Sequence, residues 1–320
     1  MSVEVKPIFI ISLVRSGSTL LQRILMGHDK IASMAEPWFL LPLVFSMKKE
    51  GIITEYGHSI AHDALEDLID NLPNKSEDYY SFLREFAGNI YGALSKSKNS
   101  YFLDKTPRYY MIIPELAKIF PEAKFIFLFR NPVHIYSSIL STWKDNRLKF
   151  TTKLHNDLTN GPKLMSQGYE LLKNRSYSIQ YEKFVKNPEE SLKEIVDYLN
   201  IDYDDKMLDN FYGQDLKGRS VDPTGTKRYK QVDSSTLHKW KKVFNTKYRK
   251  KIIANYIESI DAQTLSIQGY KKSEILNEIR SLDHEGNFSM FRDLLDINKP
   301  KIRLAFHKSR KKISYYLNKI

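Results

Sequence analysis

The sequence predicts an α/β fold in which a central parallel sheet is flanked by helices, giving three layers. Two observations lead to this prediction. Short apolar runs, rich in β-branched and aromatic residues, alternate along the chain with stretches of helical periodicity, which is the pattern of parallel strands joined by helices. Several of these runs also end in a charged or polar residue, as expected where the carboxyl ends of strands form a ligand site.

The first predicted strand is the apolar run over residues 8–14, and a helix is predicted to follow it. The apolar residues of that helix recur on one face, and Gly27 suits its end; they are Leu20, Leu21, Ile24 and Leu25. A strand, a small-residue loop and a helix together form a cradle for a phosphate, because the N–H groups of the loop and of the helix N-terminus face the anion.

The loop between them, Arg15-Ser16-Gly17-Ser18-Thr19, has the residue types of an anion site. Gly17 allows close approach of the backbone, Arg15 adds a fixed positive charge, and Ser18 and Thr19 add hydroxyl donors. The loop is not a Walker A sequence, since a serine follows Gly17 where that pattern has lysine. An ordinary polar turn is the alternative interpretation.

Two further predicted strands end in groups suited to catalysis. Residues 31–35 are followed by Glu36, and residues 101–103 by Asp104 and Lys105. A carboxylate beside an anion loop is electrostatically unfavourable unless it has another role, such as accepting a proton. For Glu36, a surface acid before a proline turn stays open as the alternative. Lys105 is predicted to be a second cation at a strand end.

The most apolar predicted strand, residues 125–129, ends at Arg130. Asn131 is expected to cap the next helix and Pro132 to take its first position, which puts Ser138 two turns into that helix. Arg130 and Ser138 could therefore contact one phosphate. A strand end followed by packing serines is the alternative, but a third cation at a third strand end argues against it.

No metal site is predicted. Residues 42–98 are expected to form helices and polar loops, and His58 and His62 share a helical face there with Asp63 nearby. A metal site of this kind needs a third ligand in register, and none is evident.

Composition excludes several classes of function. The chain has 320 residues, 42% hydrophobic and 28% charged, which is ordinary for a globular protein that buries a good core. It contains no cysteine, so disulfides, thiol catalysis and cysteine–metal sites are excluded. The N-terminus lacks the basic region of a signal peptide, and no stretch approaches the length of a membrane span. We therefore expect a cytoplasmic protein.

The net charge of +12 is concentrated in two segments. Residues 226–251 hold ten Lys and Arg against one acid, and residues 299–320 hold eight and no acid. The first segment suggests a loop that closes over an anion site, or else a solvated basic face. The second is expected to form a basic amphipathic helix, which can lie on an anionic membrane surface, dock on a partner or pack on its own domain.

Three motifs, in this order along the chain, resemble those of sulfotransferases that use 3′-phosphoadenosine 5′-phosphosulfate (PAPS). Residues 15–19 resemble that family's 5′-phosphosulfate loop. Arg130-Asn131-Pro132 and the serine six residues after the proline match its 3′-phosphate motif, R-[ND]-P-x(5)-S. Tyr181-Glu182, at the end of a strand predicted over residues 174–181, resembles the segment that meets the adenine. The resemblance covers about residues 5–245 and implies a P-loop-like three-layer sandwich.

The resemblance also implies which residues bind the donor. Those expected to hold the 5′-phosphosulfate are Arg15, Ser16, Gly17, Ser18 and Thr19. Arg130 and Ser138 would hold the 3′-phosphate, and Tyr181 would lie near the adenine. Lys239 and Trp240 resemble a late segment of the family that closes on the nucleotide. The chain departs from the family at Ser12, where a glycine is usual, and at His134, where an acid is common.

Catalytic roles follow by resemblance as well. Lys105, in Asp104-Lys105-Thr106-Pro107, resembles the lysine near the bridging oxygen, and Arg15 would be a further catalytic cation. Glu36 resembles the acid that deprotonates the acceptor hydroxyl in the carbohydrate and tyrosylprotein branches. The Glu-Pro pair favours the carbohydrate branch, so the expected acceptor is a saccharide or glycolipid hydroxyl. Pro107 stands where the steroid and phenol branch often has a catalytic histidine.

The predicted chemistry needs no metal. The protein must align the reacting groups and neutralise charge, and a sulfuryl group bears less charge than a phosphoryl group. Arg15, Lys105 and Arg130 can therefore take the place of Mg²⁺. One alternative is a P-loop nucleotide kinase or ATPase, against which the missing G-K-[ST] counts. Another is a non-enzymatic protein that binds anions or membranes; no nucleic-acid-binding motif is evident.

The predicted organisation is one sulfotransferase-like domain over residues 1–270, with helical insertions at about 42–98 and 145–170 that form the acceptor site. A basic helical extension is predicted over residues 271–320.

Overall fold

The computed structural model describes residues 4–148, 152–214, 232–283 and 292–294, together with residues 216, 218 and 296. The basic residues 227–230 and the predicted basic helix over residues 299–320 lie outside this described part. Among the described helices, none combines the length and the apolar character that crossing a membrane requires.

A five-stranded parallel sheet forms the centre of the fold. Its strands are β1 (Lys6–Ser12), β2 (Ile31–Ser33), β3 (Tyr101–Asp104), β4 (Lys124–Phe129) and β5 (Ser176–Gln180). Their order across the sheet is β2-β3-β1-β4-β5. The predicted strands are all present. The first was predicted too long, because Leu13 and Val14 are buried in the loop after β1 rather than in the strand.

Helices connect the strands and cover both faces of the sheet. In the first half of the chain they are α1 (Ser18–Leu25), α2 (Leu40–Phe45), α3 (His58–Asp70), α4 (Ser76–Leu94), α5 (Ile113–Ile119) and α6 (Pro132–Trp143). In the second half they are α7 (Thr152–Thr159), α8 (Gly161–Leu172), α9 (Tyr181–Lys186), α10 (Pro188–Leu199), α11 (Lys206–Asn210), α12 (Lys239–Val243), α13 (Lys247–Ser259), α14 (Ala262–Ile267) and α15 (Lys272–Arg280).

Alternate residues of the strands face two separate apolar clusters. Phe9 and Ile11 of β1 pack in a cluster with side chains of α4, α5, α6 and α8. Ile8 and Ile10 pack in the other cluster, with α1, α9 and α10. Because side chains alternate along a strand, a run that is apolar at every position must be buried on both faces. The three-layer α/β architecture is therefore confirmed.

The two predicted insertions are largely helical. Residues 42–98 contain α3 and α4, and residues 145–170 contain α7 and most of α8. Helix α8 packs into the core, since an added Cβ at Gly161 would press on Leu13 and one at Gly168 on Ile113.

Candidate functional site

The predicted site residues follow the carboxyl ends of the five strands in a definite spatial order. Glu36 follows β2, Lys105 follows β3, Arg15 follows β1, Arg130 follows β4 and Tyr181 follows β5. Because the strands are parallel and ordered β2-β3-β1-β4-β5, these five residues lie along one edge of the sheet in that sequence. This is the edge at which open α/β sheets bind ligands.

The loop after β1 has the backbone of an anion cradle. Arg15 and Gly17 both adopt left-handed conformations, with φ of 64° and 89°, and α1 begins directly after Gly17 with Ser18 and Thr19 buried. A Cβ at Gly17 would clash with the ring of Tyr181, which packs on this glycine. The Ser16 hydroxyl is buried and has no hydrogen-bond partner among the described residues. Only glycine fits at position 17, for reasons of both conformation and space.

The Arg15 side chain extends toward α6. Its Nε donates to Ser138 Oγ at 3.2 Å, one of its terminal nitrogens donates to Thr142 Oγ1 at 3.3 Å, and its guanidinium lies 5.3 Å from the centre of the Trp143 ring. The structure thus brings Arg15 together with Ser138, the residue predicted to hold the 3′-phosphate. Thr142 and Trp143 follow Ser138 by about one turn of the helix and belong to none of the sequence motifs.

Arg130 joins the first loop to the end of β5. It donates to the Arg15 carbonyl at 2.8 Å, and its guanidinium lies 4.2 Å from the centre of the Tyr181 ring. Its Nε is buried and has no hydrogen-bond partner in the described part of the chain. The predicted cap is confirmed, because Asn131 Oδ1 accepts from the backbone N–H of Val133 at 2.9 Å. Arg130 is therefore held at the start of α6 with donor capacity to spare.

Glu182, next to Tyr181, supports this arrangement and was not predicted as a site residue. It accepts hydrogen bonds from the Asn131 backbone N–H, from His134 Nδ1 at 2.8 Å and from the Tyr270 hydroxyl at 2.7 Å. Burial acts to raise the pKa of Glu182, but these hydrogen bonds and the nearby charges of His134 and Arg130 outweigh it, so the pKa is lowered. The pairing also accounts for histidine at position 134.

Lys105 connects the first loop to Glu36. Its side chain is 2% exposed, and its ammonium lies 2.6 Å from Glu36 Oε1 and 3.3 Å from Thr19 Oγ1. Glu36 also accepts a hydrogen bond from the indole N–H of Trp38 at 3.0 Å. These two hydrogen bonds fix the orientation of the Glu36 carboxylate beside the loop. A fixed orientation is a requirement for any group that accepts a proton during a reaction. Trp38 belongs to none of the sequence motifs.

Asp104, which ends β3, is fully buried beside this pair. It accepts hydrogen bonds from Tyr91 at 2.7 Å, from Tyr109 at 2.9 Å and from Thr106 at 3.1 Å. Burial raises the pKa of Asp104 to about 6, and the hydrogen bonds from these three hydroxyls oppose the rise. These three hydrogen bonds hold Asp104, the residue before Lys105, in one orientation.

The late segment is placed next to α6. Trp240, in α12, is buried, and its ring lies 6.0 Å from that of His134 between centres. Lys239 is exposed. The preceding 3₁₀ turn is capped by Asp233, which accepts from the Ser235 backbone N–H. Contacts of Lys239 and Trp240 with a nucleotide stay a prediction.

One group of potential metal ligands occurs among the described residues. Atoms of His62, Asp63 and Glu66 lie within 4.8 Å of one another. The two carboxylates are exposed, and Asp63 also pairs with Lys49 at 3.2 Å. His62 is buried, and exposed acidic side chains often lie near a histidine without a metal, so we assign no metal to this group.

The sequence matches the sulfotransferase family over residues 7–205. Nodulation protein NoeE of Sinorhizobium fredii is 34% identical over 148 residues, which are 45% of this chain and 34% of that protein. Protein-tyrosine sulfotransferase A of Caenorhabditis elegans is 23% identical over 246 residues, 73% of this chain and 60% of that protein. The chain thus spans about a third of the length of the first relative and less than two thirds of the second.

Solved structures that are similar include the sulfotransferase domain from the curacin biosynthetic pathway, with a TM-score of 0.49 and 22% identity over 80% of this chain and 99% of that chain. Mouse sulfotransferase SULT7A1 complexed with PAP has a TM-score of 0.45 and 14% identity over 85% of this chain and 88% of that chain.

Proposed function

Because the chain belongs to the sulfotransferase family, we propose that it moves the sulfuryl group of PAPS to an acceptor hydroxyl and releases adenosine 3′,5′-bisphosphate (PAP). The order of groups along the sheet edge is the observation that carries this proposal. A carboxylate lies at one end, two cations flank the phosphate loop, and an aromatic ring lies at the other end. Along that edge the acceptor hydroxyl, the sulfuryl group, the 3′-phosphate and the adenine would lie in that order.

The chain offers a fitting set of donors for PAPS. The loop from Arg15 to Thr19 would take the 5′-phosphosulfate. Arg130 and Ser138 would take the 3′-phosphate, and Tyr181 would pack against the nucleoside. Two buried polar atoms support this assignment, since Ser16 Oγ and Arg130 Nε are without hydrogen-bond partners among the described residues. Buried donors without partners are costly, and oxygens of a bound anion would satisfy them.

Different residues of the chain would accept the proton and neutralise the charge during sulfuryl transfer. Glu36 would take the proton of the acceptor hydroxyl, whose oxygen forms the new bond to sulfur as the bond from sulfur to the 5′-phosphate oxygen breaks. Lys105 and Arg15 would offset the negative charge that gathers on the leaving phosphate. PAPS supplies the sulfuryl group and the leaving group. These fixed cations supply the charge for which kinases use Mg²⁺, so we propose transfer without a metal.

The acceptor we propose is a saccharide or glycolipid hydroxyl. Support comes from the Glu36-Pro37 pair, through its resemblance to the carbohydrate branch, which is an argument by analogy. The helices of residues 42–98 and 145–170 would form the walls of its pocket. A cytoplasmic location, and membrane contact through residues 299–320, stay predictions, and the latter segment lies outside the described residues.

Release of PAP from PAPS tests the proposed reaction. We would incubate the protein with PAPS and a panel of saccharide, glycolipid and phenolic acceptors in a chelator, and measure PAP and the sulfated product together. We expect PAP release that depends on the acceptor and that falls about 10²–10⁴-fold in Glu36→Gln. Hydrolysis of ATP that requires Mg²⁺, without any transfer from PAPS, would instead assign the protein to the P-loop nucleotide kinases and ATPases.

A further inference from the structure

We propose that Trp38 is a positioning residue for the general base: its indole N–H fixes the Glu36 carboxylate, and a buried network fixes the indole. This inference rests on the proposed function, in which Glu36 is the base. It concerns a residue that neither the sequence motifs nor the family match identifies.

The first observation is the backbone of Trp38. Its φ is 60°, in the left-handed region that a bulky side chain rarely adopts because its Cβ crowds the following carbonyl. Such a conformation persists only where the surroundings hold it in place. Here the Trp38 N–H donates to Thr106 Oγ1 at 3.4 Å, and the Thr106 hydroxyl donates to the buried Asp104 at 3.1 Å. The strained residue is therefore tied to the end of β3, next to Lys105.

The second observation is the support behind the indole ring. The guanidinium of Arg108 lies 5.7 Å from the centre of that ring. Arg108 is itself fixed by two hydrogen bonds to Asp157, at 3.1 and 2.8 Å, and the Tyr110 hydroxyl donates to the same carboxylate at 2.7 Å. Asp157 is 1% exposed. Two parallel hydrogen bonds to one carboxylate fix the orientation of a planar guanidinium. The indole ring of Trp38 therefore packs against a group that is itself held in place.

The third observation is how the Glu36 oxygens are shared. Oε1 accepts from Lys105 and Oε2 accepts from Trp38. With one donor on each oxygen, the plane of the carboxylate is set and rotation about its last bond is suppressed. Each oxygen keeps one lone pair, and these are the positions available to the acceptor proton. A base held in the correct geometry is what makes proton transfer efficient.

Indole resonances test the contact without any nucleotide. The chain has three tryptophans, so the Trp38 N–H signal in a ¹H–¹⁵N spectrum is the one missing from Trp38→Phe. We expect this signal to differ between the wild type and Glu36→Gln, because the indole N–H donates to a carboxylate in the first and to a neutral amide in the second. Lys105 and Arg108, the charged groups facing Glu36, are unchanged in that variant.

Kinetics test the consequence. Trp38→Phe keeps an aromatic side chain but removes the pyrrole ring with its N–H, so we expect kcat to fall about 10- to 100-fold, the effect of losing one hydrogen bond to a charged group. The KM for PAPS and the affinity for PAP should stay as in the wild type. The residues that Trp38 contacts, Glu36, Thr106 and Arg108, are not those proposed to hold the phosphates. Arg108→Lys should also lower kcat, because it removes the planar guanidinium that holds the indole ring in place. Its matched control is Arg84→Lys, since Arg84 donates to the Ile119 carbonyl away from the site.

The outcomes separate the two proposals. Unchanged kcat in Trp38→Phe, or a Trp38 signal at the same position in the wild type and in Glu36→Gln, would overturn the positioning role. Failure of the wild type to bind PAP would overturn the proposed function, while the position of the indole signal in Glu36→Gln would still decide the Trp38–Glu36 contact. Should Trp38→Phe fail to fold, the signal can be identified by elimination with Trp143→Phe and Trp240→Phe, and its response to Glu36→Gln decides.

Discussion

The ammonium of Lys105 lies 2.6 Å from Oε1 of Glu36, and both side chains are largely buried. The same ammonium reaches Thr19 at 3.3 Å, so one cation links the phosphate loop to the carboxylate beside it. In the proposed reaction Lys105 therefore touches the leaving-group side and the acceptor side at once.

Replacing Glu36 tests its role as the general base. Glu36→Gln keeps the size of the side chain and an acceptor oxygen but cannot take a proton. We expect kcat for PAP release to fall by about 10²–10⁴, with PAP affinity unchanged. A variant that folds normally and retains wild-type kcat would show that Glu36 is not the base.

Replacing Gly17 tests the phosphate cradle. Gly17→Ala would place a Cβ against the Tyr181 ring, at a φ of 89°, so the loop must distort and PAP binding should be lost. Gly88→Ala is the matched control, because that glycine lies within α4 and an added Cβ there meets nothing within 4 Å. The control should bind PAP normally and gain stability by up to about 1 kcal/mol. Calorimetric titration measures the first effect and chemical denaturation the second.

Asp104 should impose a pH dependence on stability. Burial raises its pKa from 3.8 to about 6. Between these values the folded protein holds a proton that the unfolded chain has released, so this contribution to the free energy of unfolding decreases as pH rises through that window. The decrease amounts to about 3 kcal/mol.

Asp104→Asn isolates this contribution, since an amide does not titrate in that range. We expect the difference in unfolding free energy, Asp104→Asn minus wild type, to increase between about pH 4 and pH 7. Denaturant titrations at several pH values provide the measurement. A difference that is constant with pH would mean that Asp104 is ionised throughout.

A buried ion pair ties residue 293 to the domain. Arg249 and Asp293 are 0% and 1% exposed and share two hydrogen bonds of 2.8 Å. Asp293→Ala leaves the arginine with a buried, partly uncompensated charge and should cost about 3–5 kcal/mol in unfolding free energy. Glu189→Ala, which removes the partner of the exposed Lys193, is the control and should change little. Equal effects of the two changes would contradict a structural role for residue 293.

Sequence patterns predict those parts of the structure that depend on neighbouring residues. Strands β3 and β4 are apolar runs, and Lys105 and Arg130 directly follow them in sequence, so both cations can be placed at the sheet edge without knowing the sheet order. The Asn131 cap is local for the same reason. The loop at residues 15–19 is likewise contained in five consecutive residues.

Contacts between distant segments are not encoded in such patterns. The pairing of Arg249 with Asp293 spans 44 residues, and that of Arg15 with Ser138 spans 123. The direction of the Arg15 side chain depends on where α6 packs, and a left-handed Trp38 has no signature in the sequence. The only hint in the sequence is the order Glu36-Pro37-Trp38, which puts an indole two residues from a carboxylate. That order does not predict a hydrogen bond between them.

The most direct measurement for the central claim is calorimetric titration of the protein with PAP, with and without Mg²⁺, and with ATP as the comparison ligand. The account predicts binding of PAP that does not need Mg²⁺, that is lost in Arg130→Ala, and that is kept in Arg280→Ala, a change at an exposed arginine at the end of α15. Absence of PAP binding, together with binding of ATP that requires Mg²⁺, would contradict the account.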